Sequence, residues 1–291
     1  FAFAATGRSR GGPAHAAIVA SGVFGTMSGS VSGNVVGTGV MTIPMIVRRG
    51  FPARYAGGIE AAASSGGQFM PPIMGAVAFI MSDVTGIPYL TICVAALMPA
   101  LFYYGSLFVS VHLEAVKRGI RPIPAAERPK LSRHDWLMSL CFVLPLALIV
   151  TMLFSGRSPA LAGFWAVVVA IVLGFIINPD FRKNPFRLLE ALKSGGLAAA
   201  QSIVAVGAIG IVIGIMNMTG LGLRFAGVMR ELAGNSLFLS LVMMMLGSLV
   251  LGMGMPTVPA YLIIILVMGP AIELMGVPTL TAHLFVVYFG V

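Results

Sequence analysis

Long runs of apolar residues without a charged side chain alternate with short polar segments along the chain. A helix needs about 20 mostly apolar residues to cross the hydrocarbon core of a bilayer. Five runs are long enough, and each predicts one membrane-spanning helix: 61–82, 84–113 (interrupted only by His112), 136–156, 158–179 and 194–223.

Two longer uncharged runs, at 11–47 and 232–272, do not fit this scheme. Each covers about 40 residues, barely enough for two spanning helices, and its glycines or prolines fall in the middle. Glycine weakens a helix and proline stops it. A helix that enters the membrane, breaks at mid-depth and returns to the same side explains both runs, because broken backbone is tolerated where protein buries it or a cavity borders it. We therefore predict re-entrant hairpins at about 13–47 and about 235–275.

The composition agrees with a membrane protein, since 58% of the residues are hydrophobic and only 9% are charged. Soluble domains carry about 25% charged residues. The net charge is +9, but 13 of the 18 Lys and Arg residues lie in three stretches, 48–54, 117–133 and 182–193. Basic segments between apolar runs are typical of cytoplasmic loops. The charge therefore predicts a bilayer around the protein and no nucleic-acid partner.

The basic loops also give the direction of each segment. The first hairpin is followed by the 48–54 loop and should enter from the cytoplasm, whereas the second follows an outward-going helix and should enter from outside. Two halves of opposite sense are the inverted-repeat plan of secondary transporters. The chain opens at Phe1 and ends at Val291 inside an apolar run, so we interpret it as a fragment of a longer protein.

The predicted fold is an all-α polytopic membrane protein with inverted structural repeats and two re-entrant helical hairpins. The first repeat, 1–134, contains the first hairpin, a broken helix at 55–82, a scaffold helix at 89–116 and a cytoplasmic loop at 117–134. Two scaffold helices fill 135–179. The second repeat, 180–291, contains an interfacial helix at about 182–193, a helix at 195–216, the second hairpin and the start of a final helix at 280–291. The alternative for 182–193 is a plain cytoplasmic loop.

The tip of the first hairpin reads "SGSVSGN", 28–34. If it is unwound, its free carbonyls and the hydroxyls of Ser28, Ser30 and Ser32 can bind a hard cation such as Na⁺, which prefers oxygen ligands. We expect Asn34 to cap the returning helix. The alternative is one continuous helix whose glycines, spaced four residues apart, pack closely on a neighbour.

The second tip reads "GMGMPTVPAY", 252–261. Pro256 and Pro259 lack an N–H, so carbonyls near Gly252–Met255 lose their helical partners and become cation ligands. Thr257 adds a hydroxyl. A helix that restarts near Pro259 would direct its positive end at the tip and favour an anion. The alternative is a proline kink without a ligand.

A third break, "SSGGQFMPP" at 64–72, interrupts the helix after the first hairpin. Polar groups in the middle of a membrane helix indicate function by default. The alternative is a helix distorted by Pro71 and Pro72. Nearby Glu60 is interpreted as a side chain at the cytoplasmic interface beside Arg54.

Motifs of enzymes and metal sites are missing from the sequence. It contains no G-x-S-x-G, H-E-x-x-H, C-x-x-C or Walker pattern, and its two cysteines lie far apart in apolar segments. We therefore expect no enzyme and no cofactor. A channel with re-entrant loops is a further alternative, but channels usually assemble such hairpins from several chains.

The sequence resembles the large membrane subunit of TRAP transporters (tripartite ATP-independent periplasmic transporters), and most closely the fused permeases of the TAXI type. The stretches that carry the resemblance are "GTMSGSVSGNVVGTGVMTIPMI", "AAASSGGQFMPPIMGAVAFIM", "GMGMPTVPAYLIIILVMGPAI" and "AHLFVVYFG". The resemblance implies a Na⁺-coupled importer of an organic acid in a bacterial inner membrane, with Na⁺ as coupling ion. It also implies an elevator movement, a periplasmic binding protein that delivers the substrate, and a small four-helix subunit, separate or fused upstream.

The resemblance also implies positions for the ligands. Na⁺ sites are expected at the first tip with the third break and at the second tip: Gly29, Ser30, Asn34, Ser65 and Gly66, and Gly252, Met255, Pro256 and Thr257. Substrate contacts are expected from the remaining residues of the same breaks: Ser28, Ser32, Gln68, Pro71, Pro259 and Ala260. A related inverted-hairpin carrier that works without a binding protein is the alternative function.

Overall fold

The structure is a computed structural model that describes residues 2–124, 131–234 and 236–290. All regular elements in these ranges are helices, which confirms the all-α prediction. Their bounds are α1 (Ala2–Thr6), α2 (Gly12–Ser28), α3 (Val31–Arg48), α4 (Ala53–Gly67), α5 (Gly75–Thr85), α6 (Tyr89–Lys117), α7 (Arg133–Phe154), α8 (Pro159–Ile177), α9 (Pro179–Lys183), α10 (Phe186–Thr219), α11 (Leu221–Leu232), α12 (Leu237–Gly252), α13 (Thr257–Glu273) and α14 (Thr279–Gly290). Part of the predicted loop 117–134, namely 125–130, lies outside the described residues, as do positions 235 and 291.

The first predicted hairpin corresponds to α2 and α3, which pack against each other and are joined by Gly29 and Ser30. Gly29 has a φ of 60°, a left-handed conformation that ends α2 and that a residue with a Cβ adopts only with strain. Ser30 is extended, and its side chain accepts a hydrogen bond from Gly33 N at 3.2 Å, so that it starts α3. The chain therefore breaks at the tip, and the alternative of one continuous helix is wrong.

The predicted broken helix corresponds to α4 and α5, which are separated by residues 68–74. The peptide bond between Pro71 and Pro72 is cis, and Met74 and Gly75 have positive φ angles of 57° and 59°. Pro71 and Pro72 have no backbone N–H to donate. Met74 and Gly75 are left-handed and cannot continue a right-handed helix, so the helical hydrogen bonds stop here.

Three helices among the described residues, α6, α7 and α8, are long and apolar enough to cross a membrane. Segments of α10 and α11, Val206–Met216 and Leu221–Met229, meet at 72° and make a fourth if the bent pair is one span. Ser132 and Asp135 form a capping box at the start of α7, and Ser158 caps α8. Many large apolar side chains of these helices are exposed, as expected for surfaces that face lipid.

The segment between the halves differs from the prediction. In place of an interfacial helix at about 182–193 and a separate helix at 195–216, the structure has the short α9 and then the single 34-residue helix α10. The prediction placed the boundary at residue 194, just before Gly195 and Gly196, but neither glycine has a positive φ. Glycine costs a helix only about 1 kcal/mol per residue relative to alanine, so two glycines weaken this helix without ending it.

The second predicted hairpin corresponds to α12 and α13, joined by Met253–Pro256. The returning helix begins at Thr257, two residues before the predicted restart near Pro259. The first N–H groups of a helix have no intrahelical acceptor, so a proline in the first turn removes no hydrogen bond. Pro259 therefore frees no carbonyl, and the break arises from Gly254, with a φ of 91°, and Pro256.

Two apolar clusters among the described residues form the core, and one of them joins the two halves. One lies where α2, α4 and α6 meet, around Ile18, Ile59 and Val111. The other joins α5 and α6 to α13 and α14, around Met81, Ile92 and Tyr261. Because α5 follows directly on the break at 68–74, its contact with α13 and α14 places that break beside the second hairpin.

Candidate functional site

The side chain of Gln68 connects the three breaks. Its Nε2 donates to the carbonyl oxygen of Gly29 at 3.3 Å, and its Oε1 accepts from Thr257 Oγ1 at 2.7 Å. Gln68 is only 2% exposed. Both hairpin tips, which are more than 220 residues apart in the chain, therefore meet at one buried amide that follows α4.

Close glycine contacts hold the first hairpin against the broken helix. A Cβ added to Gly67 would lie 2.6 Å from Gly25 Cα, and a Cβ added to Gly75 would lie 2.8 Å from Gly29 Cα. Both distances are too short for any side chain. The backbone of the hairpin therefore touches the backbone on both sides of the break, and this sets the position of the tip.

At the first tip, the hydroxyl side chains and Asn34 occupy different environments. Ser28, Ser30 and Ser32 are exposed, and Ser30 caps α3. Asn34, which we expected to be the cap, is instead fully buried, with Nδ2 donating to Ser21 O at 2.8 Å and Oδ1 accepting from Thr38 at 3.2 Å. The prediction failed because Ser30 stands at the residue where the helix begins, and Asn34 lies one turn inside it.

The end of α4 contributes packing as well as polar groups. Gly66, an expected Na⁺ ligand, lies against the rings of Tyr103 and Tyr104, and a Cβ there would be 2.6 Å from Tyr103 Cε1. Ser65 is half-buried. Ser64 is fully buried, and its hydroxyl has no hydrogen-bond partner in the part of the chain that the structure describes. No pattern in the sequence distinguishes Ser64 from Ser65.

At the second tip, Gly252 packs so closely on α14 that a Cβ would overlap the carbonyl oxygen of Gly290. Met255 is partly buried against the larger apolar cluster, and Ala260 is buried. Pro256 is exposed, and Pro259 lies partly buried in the first turn of α13. Thr257, the first residue of α13, therefore hydrogen-bonds directly to Gln68.

Glu60 is not at an interface beside Arg54. It is fully buried where α2, α3 and α4 meet, whereas Arg54 is exposed. Its Oε1 accepts from the hydroxyls of Ser21 and Thr38, and its Oε2 accepts from Thr42. The interpretation failed because the partners of Glu60 come from the hairpin. The spacing of Thr38 and Thr42, which places them on one face of a helix, was the available signal.

Another group of buried polar side chains lies between α13 of the second hairpin and α14. Tyr261 Oη and His283 Nδ1 are 2.6 Å apart, and both side chains are buried between α13 and α14. No group of three or more His, Cys, Asp and Glu side chains that could hold a metal ion occurs among the described residues. The polar groups that meet at the convergent breaks are the Gly29 carbonyl, the Gln68 amide and the Thr257 hydroxyl.

Comparison with known proteins gives a match over the whole chain. The family model described as "Tripartite ATP-independent periplasmic transporter, DctM component" matches residues 1–291. The chain belongs to the DctM family. This confirms the resemblance to TRAP large permeases and the predicted polytopic membrane protein, and the family is a transporter component rather than an enzyme.

Individual DctM-family relatives are similar to this chain at moderate identity. The C4-dicarboxylate TRAP transporter large permease protein DctM of Pseudomonas aeruginosa is 30% identical over 66% of this chain and 45% of its own length. The sialic acid TRAP transporter large permease protein SiaM of Vibrio cholerae is 27% identical over 73% and 48%. The ectoine/5-hydroxyectoine TRAP transporter large permease protein UehC of Ruegeria pomeroyi is 27% identical over 69% and 46%. The chain spans about half the length of these relatives.

Proposed function

We propose that this chain forms the ion- and substrate-binding part of a Na⁺-coupled importer of an organic acid, of the TAXI type, in a bacterial inner membrane. A periplasmic binding protein delivers the substrate, and a small four-helix subunit completes the transporter. The observation that carries the proposal is the convergence of both hairpin tips and the helix break at Gln68. Discontinuous helices that meet at one point are where secondary transporters bind substrate and coupling ions.

The ion sites follow from the oxygen atoms at each tip. One Na⁺ is bound at the first tip by Gly29, Ser30 and Asn34 with Ser65 and Gly66. A second is bound at the second tip by carbonyls of Gly252–Pro256 and the hydroxyl of Thr257. In support, Gln68 bonds directly to one expected ligand of each group, the Gly29 carbonyl and the Thr257 hydroxyl. Binding of Na⁺ at one site is therefore expected to affect Na⁺ binding at the other.

The substrate site follows from the two returning helices. Both α3 and α13 begin at a tip, so their N-terminal ends supply partial positive charge, which favours a carboxylate. Ser28, Ser32 and Gln68 offer hydrogen bonds, and Pro71, Pro259 and Ala260 form the apolar wall. Relatives named for C4-dicarboxylates and sialic acid, both carboxylates, are consistent with this class of substrate.

The movement is of the elevator type. The hairpins enter from opposite sides, as the positions of the basic loops predict, and move together with α4 and α5 against the scaffold helices α6, α7 and α8. The close glycine contacts between the first hairpin and the broken helix support a common movement of these elements.

Uptake by the complete transporter in proteoliposomes tests the proposal. Radiolabelled succinate and sialic acid are offered with and without an inward Na⁺ gradient and with and without the binding protein. We expect uptake of an acid that requires both. Uptake that does not depend on the Na⁺ gradient would contradict the proposed coupling to Na⁺. Uptake that needs Na⁺ but no binding protein would favour the alternative, an inverted-hairpin carrier that works alone.

A further inference from the structure

A cavity of about 260 Å³ lies beside the C-terminal half of α13, in the second hairpin. It forms where α5, α10, α11 and α14 come together around α13. None of the residues expected to bind Na⁺ or substrate lines it. Glu273, which ends α13, is one of its lining residues, so the cavity is on the side from which the second hairpin enters, the predicted periplasmic side. The proposed transport gives this cavity no role.

Two residues of α13 supply hydrogen-bond acceptors to the cavity. Glu273 supplies a half-buried carboxylate, and no ion pair with another described side chain involves it. Leu266 supplies its carbonyl oxygen, because Pro270, four residues further on, has no N–H to donate to it. This oxygen lies at the cavity wall, 2.9 Å from the position of a Cβ added to Gly222. Both acceptors favour a ligand that donates hydrogen bonds.

The ends of three helices add negative potential to the cavity. Val84 lies in the last turn of α5, Met216 lies in the last turn of α10, and Glu273 is the last residue of α13. All three residues line the cavity. The C-terminal end of a helix carries a partial negative charge of roughly half an elementary charge. Together with the carboxylate, these ends favour a cation, and a primary ammonium group has three N–H donors for the two acceptors.

The start of α11 brings donors to the same cavity. This helix begins at Leu221, and Gly222 and Leu223 in its first turn line the cavity. The first N–H groups of a helix have no acceptor within the helix, and they carry a partial positive charge. The cavity therefore combines acceptors for an ammonium group with donors for an oxygen atom of the same ligand.

His283 supplies a further donor, which is buried. The residue is 6% exposed and lines the cavity. Its Nδ1 is 2.6 Å from the hydroxyl of Tyr261, which is fully buried and has no other hydrogen-bond partner in the described part of the chain. The phenol proton is therefore donated to Nδ1, and an imidazole that accepts at Nδ1 carries its proton on Nε2. Tyr261 does not line the cavity, so the ring edge left for the cavity is the one with Nε2. A buried N–H of this kind requires an acceptor.

We propose that this cavity is a binding site for a small amino alcohol, a ligand with a primary ammonium group, a hydroxyl group and a short apolar body. The ammonium group donates to the carboxylate of Glu273 and the carbonyl of Leu266. The hydroxyl oxygen accepts from His283 Nε2, and the apolar body packs against Met216 and Leu223. Because the ligand contacts α13 together with α10 and α11, its binding holds the second hairpin against these two helices.

Binding of valinol, an amino alcohol with an isopropyl body, to the purified complete transporter tests the proposal. Saturation-transfer NMR measures the binding without any transport, so a failure of the proposed function would not affect the result. The analogue of valinol without the amino group should bind roughly tenfold more weakly or worse, and the analogue without the hydroxyl group about two- to tenfold more weakly. Equal binding of the three compounds, or no binding of valinol, would overturn the proposal.

Substitutions at two carboxylates locate the ligand. Glu273→Gln removes the charge at the cavity and should weaken valinol binding roughly tenfold or more. Glu231→Gln is the matched control, because Glu231 is an exposed carboxylate of α11 that does not line the cavity, and this variant should bind valinol like the wild type. Wild-type affinity in Glu273→Gln, or an equal loss in both variants, would contradict the assignment.

A third variant covers the case in which Glu273→Gln does not fold. Val84 lines the cavity and is 55% exposed, so Val84→Trp should be tolerated by the fold and should obstruct the cavity while Glu273 is retained. We expect valinol binding to be lost in this variant. Binding as strong as in the wild type would show that the ligand associates with another surface or with the detergent, which would overturn the proposal.

Discussion

Gln68 shows how one side chain can connect distant parts of the chain. Its amide donates to the first hairpin through Gly29 O and accepts from the second through Thr257. An amide is suited to this position because it has a donor on one side and an acceptor on the other, whereas a carboxylate only accepts. Replacement of Gln68 should therefore affect both hairpins together.

We predict that Gln68→Ala weakens Na⁺ binding in the complete transporter. The substitution leaves the Thr257 hydroxyl and the Gly29 carbonyl without their partner, at a cost of about 1–3 kcal/mol. If the tips lose their position, the apparent affinity for Na⁺ should fall roughly ten- to hundredfold. Na⁺-dependent uptake measures this, and Thr151→Ala on α7, which removes a hydroxyl that bonds only within its own helix, is the control. An unchanged Na⁺ dependence in Gln68→Ala would contradict the coupling.

We predict opposite results for two substitutions of Thr257. Thr257→Ser retains the hydroxyl that donates to Gln68 Oε1, and Thr257→Val has the same shape without it. Uptake by Thr257→Ser should keep the Na⁺ dependence of the wild type. Uptake by Thr257→Val should fall at low Na⁺ and partly recover at high Na⁺, because a lost oxygen ligand weakens binding by about 1–3 kcal/mol. Equal behaviour of both variants would mean that the hydroxyl is no ligand.

At the scale of elements, the glycines of α4 have two different roles. Gly67 touches the backbone of Gly25, whereas Gly58 has no atom within 4 Å of an added Cβ. Overpacking at a close contact costs about 1–3 kcal/mol. An exposed glycine in a helix, in contrast, can be replaced by alanine with a gain of up to about 1 kcal/mol.

We predict that Gly67→Ala lowers the thermal stability of the purified transporter and that Gly58→Ala does not. Both changes add one methyl group to the same helix, so the difference between them reports the contact with Gly25. Thermal unfolding in detergent measures it. If Gly67→Ala were as stable as the wild type, the first hairpin would not be held by this contact.

The breaks between elements could be predicted from the sequence, and their contacts could not. Gly29, Gly254 and Pro256 lie in the breaks between helices, and each interrupts the helix through its own backbone chemistry, which is local. The bond between Gln68 and Thr257 joins residues 189 positions apart, and no local pattern indicates it. Glu60 was misplaced for the same reason, because its hydroxyl partners belong to other helices.

At the scale of the whole molecule, the arrangement of the halves depends on which side each hairpin enters. We predict that single cysteines at Arg10 and Arg48, beside the first hairpin, react only with reagents that reach the cytoplasm. Cysteines at Ser236 and Gly276, beside the second, should react from the periplasm. All four positions are exposed, so the protein itself does not shield them from the reagents. The native Cys93 and Cys141 are replaced beforehand. Labelling of both pairs from one side would contradict the inverted repeat.

The contact between Gly25 and Gly67 has a genetic consequence. A substitution that enlarges Gly67 cannot be rescued by a smaller residue opposite, because Gly25 already has the smallest side chain. Gly66 is different, since the atoms it meets belong to the rings of Tyr103 and Tyr104, which a second mutation can shorten. A search for suppressors of Gly66→Ala should therefore return changes at Tyr103, whereas suppressors of Gly67→Ala must lie elsewhere or restore glycine. Two adjacent codons would thus follow different rules of compensation.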